Sequence, residues 1–222
     1  MAAFHDQIRL LDGMRRRGAV RVVDLAAWWS RAVPSRPRPV ILCFDDGCQS
    51  DFEVALPLLR EFGFPATFFI NTAAVARRGF MDWPQIRALV AAGMQIGSHG
   101  HEHVPLCRLP LVQLVRQLRH SRQQLQDRAG ASVDFLAPPY GLWNRRVRDA
   151  AFAAGFRALV TSRPGTAAAG ARCLPRNALS QTTSLRELQD WLEARPASLA
   201  RRLGRHGLLW LPKQILLRTR PD

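Results

Sequence analysis

The chain has 222 residues, 47% of them hydrophobic, and a formal charge of +15 carried almost wholly by arginine, Lys213 being the only lysine. That length supports one sizeable core; no apolar run reaches the roughly 18 residues of a membrane-spanning helix. The basic residues are scattered, with short runs at Arg15–Arg17, Arg145–Arg146 and Arg201–Arg202. No paired CxxC or aromatic-basic platform accompanies them, so they read as solvated faces with no specific nucleic-acid partner. The charge still favours loose association with anionic polymers and lipid surfaces.

In chain order, a helix is expected over about Phe4–Arg17, then Val20–Val23, then a second helix near Asp24–Ala32, with Pro34, Pro37 and Pro39 as a linker. Val40–Asp46, Ala66–Ile70, Gln95–His99, Val133–Pro138 and Ala158–Ser162 read as buried strands. Helical patterns lie between them. Asp51–Phe62 places Phe52, Leu56, Leu59 and Phe62 at helical spacing before Gly63. Trp83–Ala92, Leu111–Arg128 and Trp143–Ala154 also end at glycines. This alternation predicts an α/β fold with mostly parallel strands. After Asn177 the pattern changes: Leu185–Leu192 is helical, and the tail from Ser198 is basic and apolar. The expected organisation is a domain over 1–180 and a helical basic extension over 181–222. The run Leu208–Leu217 is too short to span a bilayer; it would cap the fold or lie on an anionic membrane surface. Four irregularly spaced cysteines give no disulfide framework, and Cys43 reads as a small core residue. No basic region followed by an apolar run opens the chain, so as written it reads as cytoplasmic, with the cell envelope as the alternative if a segment precedes it.

Three groups could carry chemistry, each at the end of a predicted strand. Asp45 and Asp46, in Phe44-Asp45-Asp46-Gly47, are adjacent carboxylates whose repulsion a cation would relieve, leaving one Asp as a base. His99 and His103, in Ser98-His99-Gly100-His101-Glu102-His103, are four apart, so two imidazoles can face one side of a turn. Two His and one carboxylate form a three-ligand set that leaves a divalent metal an open position. In Ala137-Pro138-Pro139-Tyr140-Gly141, prolines stiffen a loop whose backbone N–H could face an oxyanion. The C-terminal ends of strands are where α/β folds place their sites.

With these residues in view, the chain resembles the polysaccharide deacetylase family, the NodB-homology domain, and in particular its exopolysaccharide-modifying branch. Phe44–Gly47 matches the first motif, His99-x-x-x-His103 the second and Pro139-Tyr140-Gly141 most of the third. Gly63–Phe69, Gly93–His99 and Leu174-Pro175-Arg176 also resemble family segments, so the likeness covers about Phe4 to Leu179. It implies a distorted (β/α) barrel with fewer than eight regular strands, its first strand expected to be missing. It implies a carbohydrate N-deacetylase acting on an N-acetylated polysaccharide. Asp46, His99 and His103 would hold a divalent metal, zinc being the expected ion. Asp45 would be the general base for a metal-bound water, and the Tyr140 backbone N–H would hold the oxyanion.

Three departures accompany the resemblance. Ala137 stands where many members have an Arg that pairs with the catalytic Asp. The Asp-Trp motif that orients this Arg is not evident around Thr161–Gly165. No histidine matches the family's general acid: His5, His120 and His206 are in the wrong context, and His101 and Glu102 are assigned no role. These departures leave two other readings, a catalytically impaired glycan-binding protein and a metal-dependent amidase acting on a small amide.

Overall fold

The computed structural model describes residues 2–180 and 182–195; the expected tail cap or membrane contact lies outside the described residues. Helix α1 (Ala2–Arg16) leads into β1 (Val20–Val22) and α2 (Leu25–Trp29), which Asp24 caps by accepting the Ala27 N–H. Strand β2 (Arg38–Val40) follows and pairs in parallel with β1. The proline-rich stretch is therefore not all linker. Pro39 lies within β2, in a two-stranded sheet where the missing proline N–H can point away from the ladder.

The main sheet has six parallel strands in sequence order: β3 (Leu42–Phe44), β4 (Ala66–Ile70), β5 (Gln95–Ser98), β6 (Phe135–Leu136), β7 (Ala158–Val160) and β8 (Cys173–Leu174). It curls into a half-barrel, with β3 and β8 as its edges. Every residue of β4 is buried, as expected where a parallel sheet is covered on both faces. Outside it pack α3 (Leu56–Phe62), α4 (Trp83–Ala91), α5 (Leu111–Ala129) and α6 (Arg145–Ala153). Their buried apolar residues, with Phe68, Ile70, Ile96, Leu136 and Leu159 from the strands, make the larger core. The inner face is smaller: Phe69, Phe135, Ala137, Val160 and Leu174 meet Leu25 and Trp28 of α2, which plugs the half-barrel from within.

Two elements depart from the expected pattern. The helix predicted from Asp51 opens with a π-helical turn (Asp51–Ala55) before becoming α3, so the Leu56 N–H reaches back to the Asp51 carbonyl. Strand β8 has only two residues and no apolar run to announce it. Helix α7 (Leu185–Leu192) packs on α1 and buries Leu188 and Leu192 in the larger core. Between the β3 and β8 edges, roofed by α1 and α7, lies a cavity of about 1180 Å³. Phe4, Ile8, Leu42 and Trp191 are among its apolar walls, and Asp45 and Arg176 stand at its polar end.

Candidate metal centre

The strands end where their side chains are needed. After Phe44 the chain turns through Asp46 at φ 75° and Gly47 at φ 76°. Position 47 requires glycine: a Cβ there would sit 3.1 Å from Ile70 Cδ1, in a conformation that side chains rarely adopt. Among the described residues, six that are not glycine have positive φ, and three of them are Asp46, His103 and Tyr140. Such conformations cost about 1–3 kcal/mol each and persist where surrounding structure imposes them, often at functional sites.

Asp46, His99 and His103 come together, their candidate ligand atoms all within 4.8 Å of one another. Nε2 of His99 lies 3.2 Å and Nε2 of His103 3.1 Å from the same oxygen, Asp46 Oδ1. That oxygen is buried and has no hydrogen-bond partner. His99 explains why. Its Nδ1 lies 2.7 Å from the Ala137 carbonyl, which can only accept, so Nδ1 carries the proton. In the neutral ring Nε2 then presents a lone pair to a carboxylate oxygen. Two lone pairs facing each other at a buried oxygen call for a cation between them. The outer hydrogen bond that fixes the tautomer is the arrangement metal-ligating histidines use. The donor set therefore fits a divalent metal. With both of its nitrogens protonated, the His99 ring would instead donate to Asp46 and hold it below the usual carboxylate range, against burial. Burial, then the neighbouring His99, keeps His103 below the usual histidine value.

Supporting contacts come from β5, α5 and the segment after β4. Ser98 Oγ, at the end of β5, is paired with Ser121 Oγ of α5 at 2.8 Å and accepts the Gly100 N–H. Gln117 of α5 accepts the Glu102 N–H and donates to the Glu102 carboxylate at 2.6 Å. After β4, Thr72 Oγ1 meets His101 Nδ1 at 2.8 Å, and the Ala73 N–H donates to the His101 carbonyl. His101 and Glu102 thus brace the loop, and neither joins the ligand cluster. His5 lies on α1, and His120 is an exposed residue of α5 with its ring edge-on to His101.

Asp45 sits beside Asp46 and has a partner the sequence did not reveal. Arg176, just past β8, donates from both guanidinium nitrogens to both Asp45 oxygens, at 2.7 and 2.5 Å. Position 137 supplies no guanidinium, and Ala137 is fully buried. Its backbone carbonyl holds His99 instead. Burial opposes the charge on Arg176, but the Asp45 carboxylate overcomes it and raises the pKa further. Cys43 packs against the inner core, as expected, and also lies against this pair; burial pushes its thiol up to about 11. Arg176 was legible only as part of Leu174-Pro175-Arg176, since β8 is too short to place it at a strand end by pattern.

Tyr140 lies in the turn Pro139–Gly141 at φ 61°. The Gly141 and Leu142 amides bond back to the Pro138 and Pro139 carbonyls, leaving the Tyr140 amide outside the turn's own bonds. Its ring is half exposed and packs against His103, centroids 4.6 Å apart.

Residues 32–159, more than half of the chain, match the family model described as Polysaccharide deacetylase. A chitooligosaccharide deacetylase of Sinorhizobium fredii is 33% identical over 123 residues, covering 54% of this chain and 55% of that protein. The chain spans about half or less of the curated relatives it matches. The structure resembles the Streptococcus pyogenes deacetylase PplD in complex with acetate (TM-score 0.78, 21% identity, 86% of each chain). It also resembles IcaB from Ammonifex degensii (TM-score 0.76, 23% identity, 85% of this chain and 88% of that one). At these identities the two structures establish the fold.

Proposed function

Because the chain belongs to the polysaccharide deacetylase family, we propose that it is a metal-dependent hydrolase that removes N-acetyl groups from a polysaccharide. The observation that carries this reading is the buried Asp46 oxygen facing two imidazole nitrogens, with a second carboxylate, Asp45, beside it. Relatives named for chitooligosaccharides, chitin and peptidoglycan support a polymer containing N-acetylglucosamine as substrate. Zinc suits a set of two nitrogens and one oxygen.

Asp46, His99 and His103 would hold the metal, which when bound supplies Lewis acidity toward the acetamide carbonyl and toward water. Asp45 takes the proton from the attacking water. Arg176 fixes both Asp45 oxygens and so aims the carboxylate. The Tyr140 amide donates to the oxyanion as the carbonyl carbon becomes tetrahedral. The C–N bond then breaks, giving acetate and a free amine on the sugar. That amine must gain a proton. Among the described residues no further histidine joins the centre, so Asp45 is the group placed to return the proton it took.

The test is acetate release from N-acetylglucosamine oligomers with added Zn²⁺, comparing the chain with Asp45→Asn. Release is expected from the unaltered chain, stopped by a chelator and lowered about 10²–10⁴-fold by the substitution. Tight glycan binding without release, in the presence of zinc, would overturn hydrolysis in favour of a binding protein.

A further inference from the structure

A metal ligand must be held at a fixed angle, and the three candidate ligands are held differently. Asp46 lies in the turn just after β3, which the Met81 N–H pins by donating to the Gly47 carbonyl at 3.0 Å. The His99 N–H donates to the Ile70 carbonyl at 2.8 Å, and the ring is fixed through Nδ1 by the Ala137 carbonyl. His103 has neither kind of support. The loop before it is tied as far as Glu102, whose N–H donates to Gln117. Past that point, among the described residues, no hydrogen bond reaches the His103 backbone or its Nδ1. The side chain is 31% exposed, so burial alone does not fix the ring either.

What the His103 ring does touch is aromatic. The Tyr140 ring lies 4.6 Å away, centroid to centroid, with its plane tilted by 57°. The other ring neighbour, His99 at 5.0 Å, is itself a ligand. A tilted pair at such a distance is attractive. Tyr140 is well set to act as the fixed partner. Pro138 and Pro139 stiffen the chain before it, and the Gly141 and Leu142 amides close the turn. The turn is seated on both sides. A Cβ on Gly100, in the histidine loop, would lie 3.5 Å from Pro139 Cγ, and one on Gly141 would fall 2.5 Å from Ser162 Oγ.

The Tyr140 ring has no other evident use. Any residue except proline supplies a backbone amide to an oxyanion. Glycine would adopt φ 61° more cheaply than tyrosine. The ring is 53% exposed, and its hydroxyl makes no hydrogen bond among the described residues. Neither burial nor a hydrogen bond accounts for an aromatic side chain there, whereas the contact with His103 does.

We propose that the Tyr140 ring is a positioning residue for His103: it orients that imidazole by packing, as the Ala137 carbonyl orients His99 by hydrogen bonding. One residue then serves the oxyanion through its amide and a metal ligand through its side chain. The proposal rests on the metal centre of the deacetylase reading, and its test does not need catalysis. Zinc affinity of the full chain is read by competition with a chelating dye. Tyr140→Phe keeps the ring and should stay within a factor of about two, whereas Tyr140→Ala and Tyr140→Leu should bind zinc about threefold to tenfold more weakly, the range of an aromatic pair. Leucine separates loss of the ring from loss of bulk. In the cobalt-loaded chain the visible ligand-field bands, which report ligand geometry, should shift in the alanine and leucine variants and stay in place in the phenylalanine variant. Metal-free melting temperatures should stay close to that of the unaltered chain, because the ring is half exposed.

Unchanged zinc affinity in the alanine or the leucine variant overturns the proposal. So does a phenylalanine variant as weak as the alanine one, which would make the hydroxyl the group that matters. A fall in metal-free melting temperature that accompanies the weaker zinc binding also overturns it, since the ring would then be a contact of the fold. Failure of the deacetylase reading shows differently, as no acetate release from N-acetylglucosamine oligomers while the order of zinc affinities among the variants is kept.

Discussion

Asp51 accepts the Cys48 N–H at 3.0 Å and so holds the loop that carries Asp46. Its burial raises its pKa to about 7; the Cys48 hydrogen bond opposes the shift, and the charges of Asp46 and Asp45 add to it. In the unfolded chain the same group ionises near ~4. The folded protein therefore keeps a proton that the unfolded chain has lost, and stability falls as pH rises from about 4 through about 7. Asparagine keeps the accepting oxygen and removes the titration. Without metal, thermal melts of Asp51→Asn should lose less stability between pH 5 and pH 8 than melts of the unaltered chain; parallel declines would show that Asp51 does not carry the effect. Arg176 makes a second residue-scale case. Removing it leaves Asp45 partly buried and unpaired, a loss of up to about 3 kcal/mol. Arg176→Ala should lower kcat at least about tenfold while zinc affinity stays within a factor of about two. A large loss of zinc affinity would place Arg176 in the metal site instead.

At the scale of elements, α5 does more than cover the sheet. Its apolar face was readable from Leu114, Leu118 and Leu125 at helical spacing. Its buried polar residues, Gln117 and Ser121, were not, because pattern alone gives no reason to bury them. Each has a partner on the β5 side, Glu102 and Ser98. Gln117→Ala should therefore weaken zinc binding about 10–100-fold, the usual cost of losing an outer contact to a metal site, as read by competition with a chelating dye. The same substitution with zinc affinity unchanged would show that the loop holds itself. The π-helical turn at Asp51–Ala55 was read as ordinary helix because Phe52 and Leu56 keep helical spacing. A widened turn hardly disturbs that spacing, so the sequence carries no mark of it.

For the whole molecule, the metal would couple the ends of β3 and β5, and with them the cores on both faces of the sheet. A ligand bound only by the folded state stabilises it in proportion to its excess: about 2.7 kcal/mol at a hundredfold excess over Kd. Zinc should raise the melting temperature of the unaltered chain and leave that of His99→Ala unmoved. An equal rise in both would place the zinc elsewhere. Helix α7 tests the fold independently of the metal. Leu192→Ala opens space where α7 meets the core and should cost about 2–3 kcal/mol without altering zinc affinity.

Strand β4, helix α5 and the Asp46, His99 and His103 cluster were legible in the sequence because each is local. Buried parallel strands read as short apolar runs, helices repeat every three to four residues, and ligands at strand ends fall within a few positions of those runs. Strands β2 and β8 were not legible, one because it contains proline and the other because two residues carry no period. The pairing of Arg176 with Asp45 spans most of the chain, as does the cavity between β3 and β8. Such contacts depend on how far the sheet curls and which edges it leaves open. The sequence by itself determined the family, the alternation of the central strands and helices, and the candidate ligands. Only the tertiary structure decided which guanidinium meets Asp45 and which carbonyl sets the His99 tautomer, because these depend on distances between segments that no local pattern encodes.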